Sequence, residues 1–225
     1  MERRVRLQLG SDFTLPTWAV THYLQQTEIN YLRLTTTESI CRYAIEGAPL
    51  ERLVVATESA ELFQRERSSL ESFRGSIELT RKDDSAEKFW RIIGRHSRPM
   101  VFVREGNRGY VPLYDFLGSE ALVIRQLSIN SPFDAVLEGL ASSLPDLIYA
   151  REREQRARVQ WQHEQIGQAA HNLNEIVRAS QTIEHPDTPL GVQAYARAML
   201  DQLLDSQQRL NEAAGVNVRR IDDVV

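Results

Sequence analysis

The sequence predicts an α+β fold, with a mixed α/β, sandwich-like domain over residues 1–132 followed by a C-terminal antiparallel helical hairpin, coiled-coil-like, over residues 133–225. Three observations carry this expectation. Before Asn130, short runs of β-branched residues alternate irregularly with stretches of helical period. Across ALVIRQLSIN and SPFDAVLEGLASSLPDLIY the β-branched residues end where helix-starting residues begin. Beyond Pro145 apolar residues recur seven apart.

The elements follow in order. Val5, Leu7 and Leu9 alternate with Arg4, Arg6 and Gln8, which is a half-buried strand ended by Gly10-Ser11-Asp12. Pro16 suits a first helical turn, with Trp18, Ala19, His22, Tyr23 and Gln26 following at helical spacing. Ile29 to Leu34 alternates like a strand and equally fits a continued helix. Thr36 or Thr37 would cap a helix bearing Ile40, Tyr43, Ala44 and Ile45, stopped by Gly47-Ala48-Pro49. Leu53 to Val55 reads as a buried strand, and Ser59 opens a helix with Leu62, Phe63, Leu70 and Phe73. Ser76 to Arg81 is a strand, Asp84 or Ser85 caps a helix with Phe89, Trp90, Ile92 and Ile93, and Met100 to Val103 is a strand. Glu105-Gly106-Asn107-Arg108-Gly109 then turns the chain back through Tyr110-Val111 as a hairpin.

After the last strand, Val136, Leu140, Leu144 and Ile148 stand four apart and predict a helix over about 133–144. Pro145 breaks it and opens a long helix over about 145–184. REREQRAR (Arg151 to Arg158) alternates in charge, and its helix face stands in solvent or crosses between bodies. Val159, Ile166, Leu173 and Ser180 then form one row of a heptad, with Gln162, Ala169, Ile176 and Ile183 as its companion. A turn at 185–189 precedes a final helix over about 190–214, whose stripe is Val192, Ala196, Met199, Leu203 and Leu210 and whose end is Gly215. So thin an apolar seam is marginal against an ordering cost of about 1–2 kcal/mol per residue. A second copy is therefore expected to complete it as a homodimer, through Val159, Ile166, Leu173, Ile176, Ile183, Val192, Met199 and Leu203. Asn130, Ser131 and Pro132 carry ordinary strand-to-helix turn chemistry and are the candidate hinge between domain and arm.

Composition narrows the function classes. The 225 residues are 42% hydrophobic with net charge -4, enough for a sizeable core. Residues up to Pro132 hold 18 basic against 17 acidic side chains, and the rest 9 against 14, so neither half offers the positive excess that a phosphate backbone demands. Nucleic acid is not the expected partner, although a local patch at Glu2-Arg3-Arg4-Val5-Arg6 remains available. DNA-binding regulation would require those arginines and others to gather on one face. Arginine outnumbers lysine 25 to 2, the bias of a GC-rich bacterial genome. The single Cys41 excludes an intramolecular disulfide and multi-cysteine metal sites, and fits a reducing cytoplasm. No signal-peptide core follows the basic start, and no apolar run approaches the roughly 20 residues of a membrane span.

Candidate chemistry is sparse. Cys41 and His22 are the one possible thiolate-imidazole pair, but Cys41 lies between Ile40 and Arg42 on a helix without an oxyanion loop, which makes it a structural cysteine. His163 and His171 are too far apart on a helix to share an ion, and no metal or cofactor is expected. AAHNLNEIV (Ala169 to Val177) resembles the phosphoacceptor helix of histidine kinases. It departs from it in having Asn172 after the histidine, no proline within the next turn and no ATP-binding boxes. Asp83-Asp84 reads as a cap, Asp222-Asp223 as part of a terminal tail, and Glu58 to Glu61 completes the acidic pairs; Walker, GxGxxG and GxSxG motifs do not occur. The expected function is a non-enzymatic cytoplasmic oligomerisation or adaptor protein whose N-terminal domain binds a protein partner. The alternative is a small-molecule sensor or enzyme domain regulated by a dimerising arm, in which Trp18, Tyr23, Tyr31, Tyr110 and Tyr114 are the aromatics to inspect.

Overall fold

The computed structural model describes residues 4–12, 14–56, 76–79, 83–106, 109–114, 120–128, 133–149 and 179–224. In chain order they form β1 (Arg4–Ser11), α1 (Thr17–Ile45), β2 (Leu53–Ala56), β3 (Ser76–Glu78), α2 (Asp83–Arg95), β4 (Val101–Arg104), β5 (Tyr110–Pro112), β6 (Val123–Ser128), β7 (Asp134–Leu140), α3 (Leu144–Ile148), α4 (Ala179–Ile183), α5 (Leu190–Ala214) and β8 (Val216–Val224). The fold is mixed α+β with two antiparallel sheets, ordered β6-β7-β1-β8 and β3-β2-β4-β5. Among the described residues no helix is long and apolar enough to cross a membrane.

The chain separates into two compact units assembled from non-contiguous segments. One holds Met1–Tyr31, Glu120–Gln181 and Asp201–Val225, and the other Leu32–Ser119 and Thr182–Leu200. These units do not follow the division at Pro132 that the sequence suggests, because β1 pairs on both sides with strands from beyond Pro132. The expected helix over 133–144 is instead strand β7, with Leu7 opposite Leu137 and Leu9 opposite Ala135. The period-2 set Phe133, Ala135 and Leu137 is buried in the core, and two flanking strands satisfy the backbone of β7. On the other side β8 occupies what reads as a terminal tail, with Ile221 opposite Leu7.

In the first unit, the α1 residues Val20, Tyr23, Leu24, Thr27, Asn30 and Tyr31 recur at helical spacing and are buried. A polar ladder sets the register between this part of α1 and α5. Asn30 Nδ2 donates to Gln207 Oε1 at 3.1 Å, Gln207 Nε2 to Thr27 Oγ1 at 3.1 Å and to Asn211 Oδ1 at 3.0 Å, and the Tyr23 hydroxyl to Asn211 Oδ1 at 3.0 Å. Buried amides that bond one another in this way oppose any helical slip, since a shift leaves them unsatisfied. The Tyr31 hydroxyl accepts from Leu140 N at 2.8 Å and donates to the Glu120 carbonyl at 2.9 Å. Gly139 leaves room for that ring: a Cβ there would lie 3.1 Å from Tyr31 Cε2.

Ile29 to Leu34 proves to be the middle of one continuous helix, α1, and the expected caps Thr36 and Thr37, in the second unit, sit inside it. Their hydroxyls donate to the carbonyls of Leu32 and Arg33, at 2.7 and 2.8 Å. That local bonding lets buried threonines sit in mid-helix at no cost in unpaired groups. Gly47, at φ 73°, ends α1 as predicted, with Ala48 N donating to the Tyr43 carbonyl. The β4–β5 hairpin also forms where expected, closed by Glu105 N to the Gly109 carbonyl. On α2, Phe89, Trp90 and Ile93 are buried, and Trp90 stacks on Tyr195 at 6.2 Å. The predicted helix from Ser59 lies outside the described residues.

Candidate functional site

α3 begins at Leu144 with Pro145 in its first turn, and Ser143 precedes it. The Asp146 carboxylate then accepts from both Ser180 N at 3.0 Å and Ser180 Oγ at 2.6 Å, while Ala179 N donates to the Ser142 carbonyl at 3.1 Å. Asp146 and Ser180 are both buried, so these are bonds made in a low-dielectric site. One straight helix from 146 to 180 would hold these residues about 50 Å apart. α3 and α4 are therefore not parts of one straight helix, and Ala179 lies beside Ser142; residues 150–178 of the long helix expected over 145–184 lie outside the described residues.

The self-association stripe divides accordingly. Ile183, Val192, Met199 and Leu203 are buried within the chain itself, at 0, 3, 8 and 2% exposure, so their burial needs no second copy. Val159, Ile166, Leu173 and Ile176 lie outside the described residues, as do Asn130, Ser131 and Pro132, His163 and His171, and the stretch Ala169 to Val177. The turn at 185–189 and the helix over 190–214 stand where the sequence puts them. In the first unit, though, the polar partner of α5 is α1.

A charged cluster that sequence reasoning missed occupies the outer face of the first unit's sheet. Glu138 stands opposite Arg6, and its carboxylate accepts from Arg6 Nε at 2.7 Å and from Arg125 Nε and Nη2 at 2.9 Å each. Arg4 Nε lies 3.2 Å away. Arg125, which donates most strongly, and Arg6 hold the carboxyl down at about 2, against a desolvation penalty acting in the opposite direction. The arginine stems roof the carboxylate over, leaving its side chain 3% exposed, while Arg6 and Arg125 themselves stay about half exposed. The one legible signal was the alternation of arginines in β1. Their partner lies 132 residues further on.

Other candidates are resolved one by one. Cys41 is fully buried, and burial, with Glu38 nearby, pushes its thiol up to about 12, so it holds no thiolate at neutral pH. His22 is exposed and lines a shallow groove with Gln26, Asp205 and Arg209. Tyr23, Tyr31 and Tyr114 are core residues with bonded hydroxyls, Tyr110 lies under Arg104 at 5.9 Å, and Trp18 is exposed at the start of α1. Among the described residues no group of three metal-binding side chains occurs. Asp222 pairs with Arg220 in β8. The second unit holds a cavity of about 650 Å³ walled largely by small and apolar residues, among them Ala44, Gly47, Ala86, Val192 and Tyr195, with Glu51 as its carboxylate. Compared with known proteins, the chain matches no family model, no curated protein and no solved structure.

Proposed function

We propose that the chain is a non-enzymatic, self-associating adaptor, in which the stretch 150–178 supplies the contact between two copies and the first unit offers a surface to a protein partner. The clamp of Asp146 on Ser180 is the observation that carries this reading. It brings together the described residues that flank 150–178, and buried residues of the first unit such as Leu147, Ile148 and Ala179 stand on either side of that stretch. Val159, Ile166, Leu173 and Ile176 are then the apolar residues of an appendage. Burying a large aliphatic side chain contributes roughly 1.5–3 kcal/mol, so a few of them meeting their copies in a dimer suffice for micromolar association. The same reading places the protein in the cytoplasm, on the strength of its single buried thiol.

Light scattering on the full chain after size exclusion, at about micromolar concentration, tests it. The parent runs at twice the chain mass, and Ile166→Lys with Leu173→Lys runs at the chain mass with an unchanged circular dichroism spectrum. A monomeric parent, or a double variant that keeps the parent's mass, overturns it. A second reading, a small-molecule sensor, is favoured by the cavity of the second unit, whose volume suits a compact apolar ligand. A fragment screen read by thermal shift, repeated on Val192→Trp to fill the cavity, separates the two.

A further inference from the structure

We infer that the outer face of the first unit's sheet recognises an acidic segment of a protein partner. Among the described residues Arg4, Arg6, Arg125, Arg219 and Arg220 gather on this face, against the carboxylates of Asp134, Glu138 and Asp222. The placement follows from register. Arg6 stands opposite both Glu138 and Asp222, and Gln8 opposite Val136 and Arg220, while Leu7 and Leu9 turn to the buried side.

Two β-bulges complete it, one in each edge strand, and each inserts an arginine. Arg125 is the extra residue of β6, between Ile124 opposite Leu137 and Gln126 opposite Val136. Arg219 is the extra residue of β8, between Val218 opposite Leu9 and Arg220 opposite Gln8. A bulge re-aims the side chain it adds. Arg125 is turned onto Glu138, and Arg219 is laid over Gly10, where a Cβ would overlap its guanidinium. Gly10, with no side chain, is the bed on which this arginine lies. Both edges thus deliver a guanidinium to the same face, and buried Glu138 fixes the orientation of the central ones before any partner arrives, which lowers the ordering cost of binding.

The chemistry of the face selects the occupant. Arg125 already meets a carboxylate fork to fork, the planar match that arginine makes with acidic side chains. Asp134, Glu138 and Asp222 break the positive surface into separate guanidinium positions, which suits spaced carboxylates better than a phosphate backbone with a charge at every step. A discrete carboxylate array seats between the arginines. This inference uses none of the residues of the self-association stripe, and it stands or falls separately from it.

Fluorescence anisotropy of a labelled oligoglutamate peptide with the full chain tests it, with unlabelled single- and double-stranded oligonucleotides as competitors. The parent binds at low ionic strength and weakens as salt rises. Arg219→Gln with Arg220→Gln lowers affinity by about tenfold or more, and Gly10→Ala, which displaces Arg219 and changes no charge, by about threefold. Arg197→Gln, in the second unit, stays within about twofold of the parent. The same pattern holds on the Ile166→Lys, Leu173→Lys background, whatever its mass. Absence of binding at low ionic strength, a Gly10→Ala or folded double variant within about twofold of the parent, or tighter binding of an oligonucleotide than of the peptide overturns the inference. Gly10→Ala keeps the test decisive if the double substitution fails to fold.

Discussion

Glu138 gathers three arginines, Arg4, Arg6 and Arg125, around one buried carboxylate. Its folded carboxyl sits at about 2, below the ordinary 4.5, so its contribution to stability is fully present above about pH 4.5 and is lost as the pH falls toward 2. Glu138→Gln is expected to cost about 2–3 kcal/mol at pH 7, a figure held down by the solvent around the half-exposed Arg6 and Arg125, and the cost disappears near pH 2. Urea unfolding of parent and variant at both pH values checks this; an equal difference at both contradicts it. Gly139→Ala is expected to cost about 1–3 kcal/mol by driving a Cβ into Tyr31 and Leu122, which the same unfolding curves measure. Cys41 is expected to resist iodoacetamide in the native protein and to react in denaturant, as mass spectrometry reads directly. At this scale the sequence was legible where one residue type decides the matter, as with Gly47 ending α1 or Pro145 standing in the first turn of α3. Glu138 was not legible, because what makes a buried carboxylate affordable is a set of arginines on other strands.

Elements were readable when their pattern fitted one period. The β4–β5 hairpin and α5 came out close to their predicted bounds because turn glycines and an unbroken amphipathic stripe allow few alternatives. FDAVLEGL satisfies both periods: its four-residue spacing of Val136 and Leu140 suggests a helix, whereas its alternation of Phe133, Ala135 and Leu137 is the one that β1 rewards. Similarly, β8 has a sequence of arginines and aspartates that makes sense only beside β1, where Asp222 faces Arg6. Merging the two predicted α1 helices into one required knowing that threonine hydroxyls could bond within the helix. Gln207 is the element-scale residue with the widest consequence, since it bonds Asn30, Thr27 and Asn211 together. Gln207→Leu removes all three of these bonds and is expected to cost about 1–3 kcal/mol, seen as a lower urea midpoint; a variant as stable as the parent contradicts the ladder's role.

At the scale of the whole molecule, the order of the chain and the order of its contacts diverge. A boundary at Pro132 followed from reading the chain as consecutive domains, while α1 and α5 each contribute one segment to each unit. Such an arrangement is invisible to a pass along the sequence, which has no signal for a first strand waiting on a last one. REREQRAR and most of the heptad after it lie outside the described residues, and what the structure adds is that Asp146 and Ser180, on either side of 150–178, are hydrogen-bonded to each other. The most direct measurement therefore replaces 150–178 by a short glycine-serine loop and compares the product with the parent by light scattering and thermal melting. The shortened chain should melt cooperatively and run as a monomer where the parent runs as a dimer. A product that does not fold, or one that keeps the parent's oligomeric state, would contradict the proposal that this stretch joins two copies.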